Sequence, residues 1–118
     1  MTVYVLHIDP PLKHARHYIG FTPDPTADRR VSEHLNGLFK GTPLIKAALD
    51  AGHSVCLAHQ FPSANREFER WLKDRKDVRS WCPCCAVNTR PIPSPDSISD
   101  AYRRKKAREQ AEYHGRAA

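Results

Sequence analysis

The residues of this chain that can do chemistry are two tyrosines, an arginine, a histidine and a glutamate. Tyr4 lies in Val3-Tyr4-Val5-Leu6 and Tyr18 in His17-Tyr18-Ile19-Gly20. Arg30 and His34 stand four apart, with Gly37 just beyond, and Glu69 falls in a later basic stretch. Such a set meets the demands of phosphodiester hydrolysis. The ester's negative charge repels nucleophiles, so a site must generate hydroxide, neutralise oxyanions and stabilise the leaving alkoxide. Arg30 has a planar fork for nonbridging oxygens, which lysine lacks. A single carboxylate such as Glu69, completed by waters, suits Mg²⁺ (or Mn²⁺). His34 can relay a proton or touch phosphate.

The elements that must position these residues follow from pattern. Residues 2–8, Thr-Val-Tyr-Val-Leu-His-Ile, predict a strand. Asp9-Pro10-Pro11 is expected to break it, and a second strand over about His17 to Phe21 pairs with the first across a long loop. Thr26-Ala27-Asp28 starts a helix to about Asn36, with Val31 and Leu35 inward and Gly37 as its stop. Arg30 and His34 then share a face. Thr42-Pro43 opens a second helix, with Leu44, Ala48 and Ala51 on its buried side. Ser54 to Phe61 predicts a third strand, with Val55, Leu57 and His59 on one face. A third helix runs from about Ala64 to Lys76, burying Phe68, Trp71 and Leu72, with Arg75 on the same face. The order implies an α+β fold, a small three-stranded, mostly antiparallel sheet flanked by helices.

Those motifs in that order resemble the GIY-YIG nuclease superfamily over roughly residues 2–85. Its paired tripeptides correspond to Thr2-Val3-Tyr4, which keeps the β-branched–tyrosine ending without the glycine, and to Tyr18-Ile19-Gly20, which is intact. Arg30, His34 and Gly37 match the arginine–histidine–glycine run, and Glu69-Arg70-Trp71-Leu72-Lys73 is similar to the segment with the metal-binding glutamate. The resemblance implies that Tyr4 takes a proton from water, that Tyr18 hydrogen-bonds within the site, and that Glu69 holds the metal. DNA is the implied substrate, cut to a 5′-phosphate and a 3′-hydroxyl. Arg29 competes with Arg30, and Glu67 with Glu69. Each residue also has a plain structural reading: strand aromatics for the tyrosines, a half-buried histidine at 34, and an i,i+4 pair of Glu69 with Lys73.

Composition sets the wider frame. The 118 residues suit one domain over 1–86, a Pro-rich linker over 87–97 and a basic helical tail over 98–118. Nineteen Lys and Arg against thirteen Asp and Glu give +6, which favours polyanion contacts. Within the tail, Arg103-Arg104-Lys105-Lys106-Ala107-Arg108 carries charge on every face, with Tyr102, Ala107, Ala111 and Tyr113 left to pack, so a mobile helix is expected. No apolar run approaches the roughly 20 residues that span a bilayer, and no signal segment precedes the first strand, so a cytoplasmic location is expected. Three of four cysteines crowd into Cys82-Pro83-Cys84-Cys85, a poor disulfide framework. Reduced thiols are the first reading there. Structural zinc is the second, with Cys56, His53 and His59 as the candidate further ligands. His14 and His17 read as solvated loop residues. A noncatalytic DNA-binding module on the same scaffold is the alternative to a nuclease, and a small zinc-stabilised protein is a third class.

Overall fold

The structure, a computed structural model, describes residues 1–37, 42–85 and 89–117, the last five as backbone alone. The expected boundary at 86–87 and the packing of Tyr113 lie outside the described residues. The elements run β1 (Thr2–Leu12), β2 (Ala15–Thr22), α1 (Asp28–Leu35), α2 (Pro43–Asp50), β3 (Ser54–Pro62), α3 (Arg66–Arg75) and α4 (Asp100–Ala117). Short 3-10 turns at Val78–Ser80 and Pro95–Ser97 lie between α3 and α4. The sheet has the order β2-β1-β3 with both pairs antiparallel, which is the expected α+β class.

Because β1 is central it is covered on both faces, and Thr2 to Ile8 are all buried. That accounts for its nearly unbroken apolar run. Alternation divides its side chains. Tyr4, Leu6 and Ile8 pack with Ala27, Val31, Ile45 and Ala48 from the α1–α2 side. Val3 and Val5 face Phe61, Phe68, Trp71, Leu72 and Trp81 on the α3 side.

The expected break at Pro10-Pro11 does not occur. β1 continues to Leu12, and Lys13-His14 alone turns the chain into β2. The prolines sit where the β1–β2 register slips between His7 and Leu12, so no regular ladder amide is demanded of them. β3 holds a second irregularity. Val5 pairs with His59 but Leu6 with Leu57, so Ala58 is an extra residue. The bulge sends Val55 and Leu57 to the α1–α2 face and His59 to the other, against simple alternation.

In α1 the inward residues are Val31 and His34, while Leu35, expected inside, is 42 % exposed. Its buried line runs Ala27, Val31, His34, at i, i+4, i+7. Gly37 (φ 69°) donates its N–H to the His34 carbonyl and ends the helix. α2 buries Ile45 and Ala48, with Leu44 half-buried and Ala51 exposed. α3 starts at Arg66 because the Asn65 side chain caps it, accepting from the Phe68 N–H at 3.1 Å. Arg75 lies over the Trp71 ring at 4.5 Å.

The basic tail begins docked. Ile98 is buried in the α3-side core, and the Tyr102 hydroxyl donates to Asp74 at 2.9 Å. Lys106 reaches Asp74 at 2.8 Å and Arg103 reaches Glu67 at 3.3 Å. Ala107 and Ala111, expected to pack, are exposed. No described helix is long and apolar enough to cross a membrane.

Candidate active site

Tyr4 and Gly20 oppose each other across the β1–β2 ladder. A Cβ on Gly20 would lie 2.5 Å from the Tyr4 hydroxyl oxygen and would also overlap the ring. The glycine therefore leaves the volume that the Tyr4 ring fills, and the ring crosses its neighbour strand through that gap. Tyr18, two residues before Gly20 on the same face, brings its ring to 6.3 Å from that of Tyr4.

The last turn of α1 supplies the next group. His34 Nε2 is 2.9 Å from the Tyr4 hydroxyl, and its ring stands edge-on to Tyr18 at 5.5 Å. Thr42, just before α2, donates to the Tyr18 hydroxyl at 3.4 Å. The α1 start is pinned by Gln60 of β3, whose side-chain carbonyl accepts from the Ala27 N–H at 2.9 Å. Gln60 itself pairs with Tyr4 on the β3 side. Both Thr42 and Gln60 escape a reading of the sequence, since each matters only through a partner far along the chain.

The choice between neighbouring candidates is a matter of direction. The Arg30 side chain is 19 % exposed and turns inward, 3.6 Å from Glu33, whereas Arg29 is 68 % exposed and pairs with Asp24 at 3.1 Å. The Glu69 side chain is 14 % exposed and lies 3.4 Å from Lys73, the surface pair expected from i,i+4 spacing. Glu67 is 40 % exposed and pairs with Arg103 of α4. The charges of Arg30 and Glu69 are both felt at the Tyr4 hydroxyl, in opposite senses.

Burial pushes the Tyr4 phenol above its ordinary value, Tyr18 and Glu69 push the same way, and Arg30 opposes them. Burial also holds the His34 imidazole below its usual range, helped by Arg30 and opposed by Glu33. Near neutrality this is a protonated phenol beside a neutral imidazole. With the imidazole proton on Nδ1, the Tyr4 O–H donates to Nε2.

A different group of residues could hold a metal ion. The donor atoms of His7, His17, Cys82 and Cys85 all lie within 4.8 Å of one another. His7 and His17 pair directly across the β1–β2 ladder. Burial, followed by His7 and Arg16, pushes His17 down to about 4. His17 is thus a half-buried strand residue and not the solvated loop residue expected. Nor do the partners expected for the cysteines join this group. Cys56 lies 3.9 Å from Cys84, His53 meets the Pro10 carbonyl, and His59 packs edge-on against Phe61. The four cysteines are thiols, none joined in a disulfide. The missed signal was a histidine in an otherwise apolar, buried strand, which needs a reason to be there.

No family model matches the chain, and comparisons with curated proteins and with solved structures find no match either.

Proposed function

We propose that this chain is a metal-dependent endonuclease of the GIY-YIG type that hydrolyses DNA phosphodiester bonds. The observation that carries the reading is the Tyr4–Gly20 interlock, which aims a phenol at His34 within the fields of Arg30 and Glu69.

Glu69 fits a hydrated divalent ion such as Mg²⁺ or Mn²⁺. It is one carboxylate with solvent on one side, and its pair with exposed Lys73 is of the weak, exchangeable kind. When bound, the ion supplies Lewis-acid stabilisation of the phosphate oxygens. Arg30 binds nonbridging oxygens with its fork. Tyr4 takes a proton from the attacking water while its own proton passes to His34 Nε2, giving an imidazolium. The resulting hydroxide attacks phosphorus and the P–O3′ bond breaks. The 3′ oxygen takes a proton from solvent, and His34 returns its proton there. Because burial keeps Tyr4 a phenol, this handover suits it better than a standing phenolate. Tyr18 and Thr42 hold the ring pair in place.

One observation favours the alternative, a noncatalytic DNA-binding module on the same scaffold. Tyr4 is 1 % and His34 3 % exposed, so both groups are shielded from water. The test is cleavage of plasmid and branched DNA with Mg²⁺ or Mn²⁺. The expected result is metal-dependent nicking that Tyr4→Phe reduces by roughly 10²–10⁴-fold, as loss of a general base does, and that Glu69→Ala abolishes with DNA binding intact. Binding without nicking under any divalent metal leaves the module; nicking that survives Glu69→Ala overturns the assignment of the site.

A further inference from the structure

We propose that His7, His17, Cys82 and Cys85 bind one zinc ion in a closed tetrahedral site that pins the β1–β2 hairpin to the cysteine turn after α3. Four of the six donor–donor distances fall within about 0.4 Å of the edges of a coordination tetrahedron, and the other two are within 4.8 Å. His7 Nδ1 lies 3.3 Å from His17 Nε2, Cys85 Sγ lies 3.3 Å from His17 Nε2, and Cys82 and Cys85 Sγ lie 3.7 and 3.9 Å from His7 Nδ1. Zn–N bonds of about 2.0–2.1 Å and Zn–S bonds of about 2.3 Å at tetrahedral angles require edges of about 3.3 Å (N–N), 3.5 Å (N–S) and 3.8 Å (S–S). Four donors in one cage, two nitrogens and two sulfurs, are a borderline-soft set that suits zinc and not magnesium.

The fold builds this cage from two rigid pieces. Ladder pairing sets His7 beside His17, on the sheet face opposite Tyr4. The Cys82 N–H donates to the Val78 carbonyl and the Cys85 N–H to the Cys82 carbonyl, a tight turn that presents both sulfurs together. Cys84, in the same turn, is exposed and approaches Cys56 instead. Three of the four ligands are buried. All four positions are filled by protein, which is the mark of a structural site and leaves no place for substrate. On binding, both thiols lose their protons to solvent and both imidazoles stay neutral. The two thiolates then cancel the ion's charge, so no net charge is buried.

The proposal holds whether or not the chain cuts DNA, and its test does not read cleavage. The full chain, purified without chelator, is expected to carry one zinc per molecule. Cobalt exchanged into it should show the visible absorption of a tetrahedral site with thiolate charge-transfer bands. Chelation should lower the melting temperature, and zinc but not magnesium should restore it. Cys82→Ser and His17→Asn should weaken zinc by more than the roughly 10–100-fold that loss of an outer partner costs, while Cys84→Ser leaves affinity unchanged. If Cys82→Ser fails to fold, the cobalt spectrum of the unaltered chain decides. A chain that takes up no zinc on reconstitution, a cobalt spectrum without thiolate bands, or ligand variants with unaltered affinity would overturn the proposal.

Discussion

Gly20 acts through what it lacks. Its missing side chain is the space occupied by the Tyr4 ring, so Gly20→Ala must displace that ring or spread the two strands. Overpacking of this sort costs about 1–3 kcal/mol. The cost should largely vanish when Tyr4→Ala is already present, because the clash partner is gone. A double-mutant cycle by denaturant unfolding measures the coupling; additive costs would show that the interlock is absent. His34 makes a second prediction. Its folded pKa is depressed, so the unfolded chain binds more protons below the ordinary imidazole value of ~6.5. Stability is therefore full above that value and falls as pH drops below it. Unfolding measured at about pH 7.5 and about pH 5, either side of that value, should show His34→Gln losing less stability than the parent chain. The depressed His17 and His59 remain in both proteins, so the difference isolates His34.

At the scale of elements, the parts legible in the sequence are those fixed by short-range pattern. The apolar run of β1, the helical spacing of Arg30 and His34, the stop at Gly37 and the Phe68-Trp71-Leu72 face need no knowledge of distant partners. What escaped depends on register. The His7–His17 pair exists only once β1 and β2 are aligned, and the extra residue Ala58 alone moves His59 across the sheet. The tail escaped for a related reason. Its composition is that of a solvated helix, yet Ile98 at its start enters the core, and Asp74 and Glu67 of α3 receive its charges. Apolar burial and not ion pairing should hold it there. Ile98→Ala is expected to cost about 2–5 kcal/mol and to expose α4 to trypsin. Arg103→Ala, which breaks only the surface pairs with Glu67 and Asp100, should change stability by no more than about 1 kcal/mol. Equal losses would mean that the charges do the anchoring.

Across the whole molecule the sheet separates two chemistries. The phenol, imidazole and guanidinium gather on the α1–α2 side, with the charge of Glu69 reaching the phenol from α3, and the His–Cys cage lies on the α3 side. The excess of +6 is not evenly available either. Arg103 and Lys106 of α4 are taken up by acids of α3, whereas Lys13, Arg16, Lys76 and Arg79 line an open cleft of about 580 Å³ between the β1–β2 turn and the end of α3. A nuclease or a DNA-binding module would both use such a cleft to follow a phosphate backbone, with little regard to base sequence. Each cation that displaces a counterion adds about 0.9 to the slope of log affinity against log salt on duplex DNA. Replacing Lys76 and Arg79 together by alanine should therefore flatten that slope by roughly 2 and weaken all sequences alike. Arg103→Ala, whose charge is already matched within the fold, should leave the slope nearly unchanged. Fluorescence anisotropy across a salt series reads both, and a slope that responds to Arg103 but not to the cleft residues would rule the cleft out as a phosphate-binding surface.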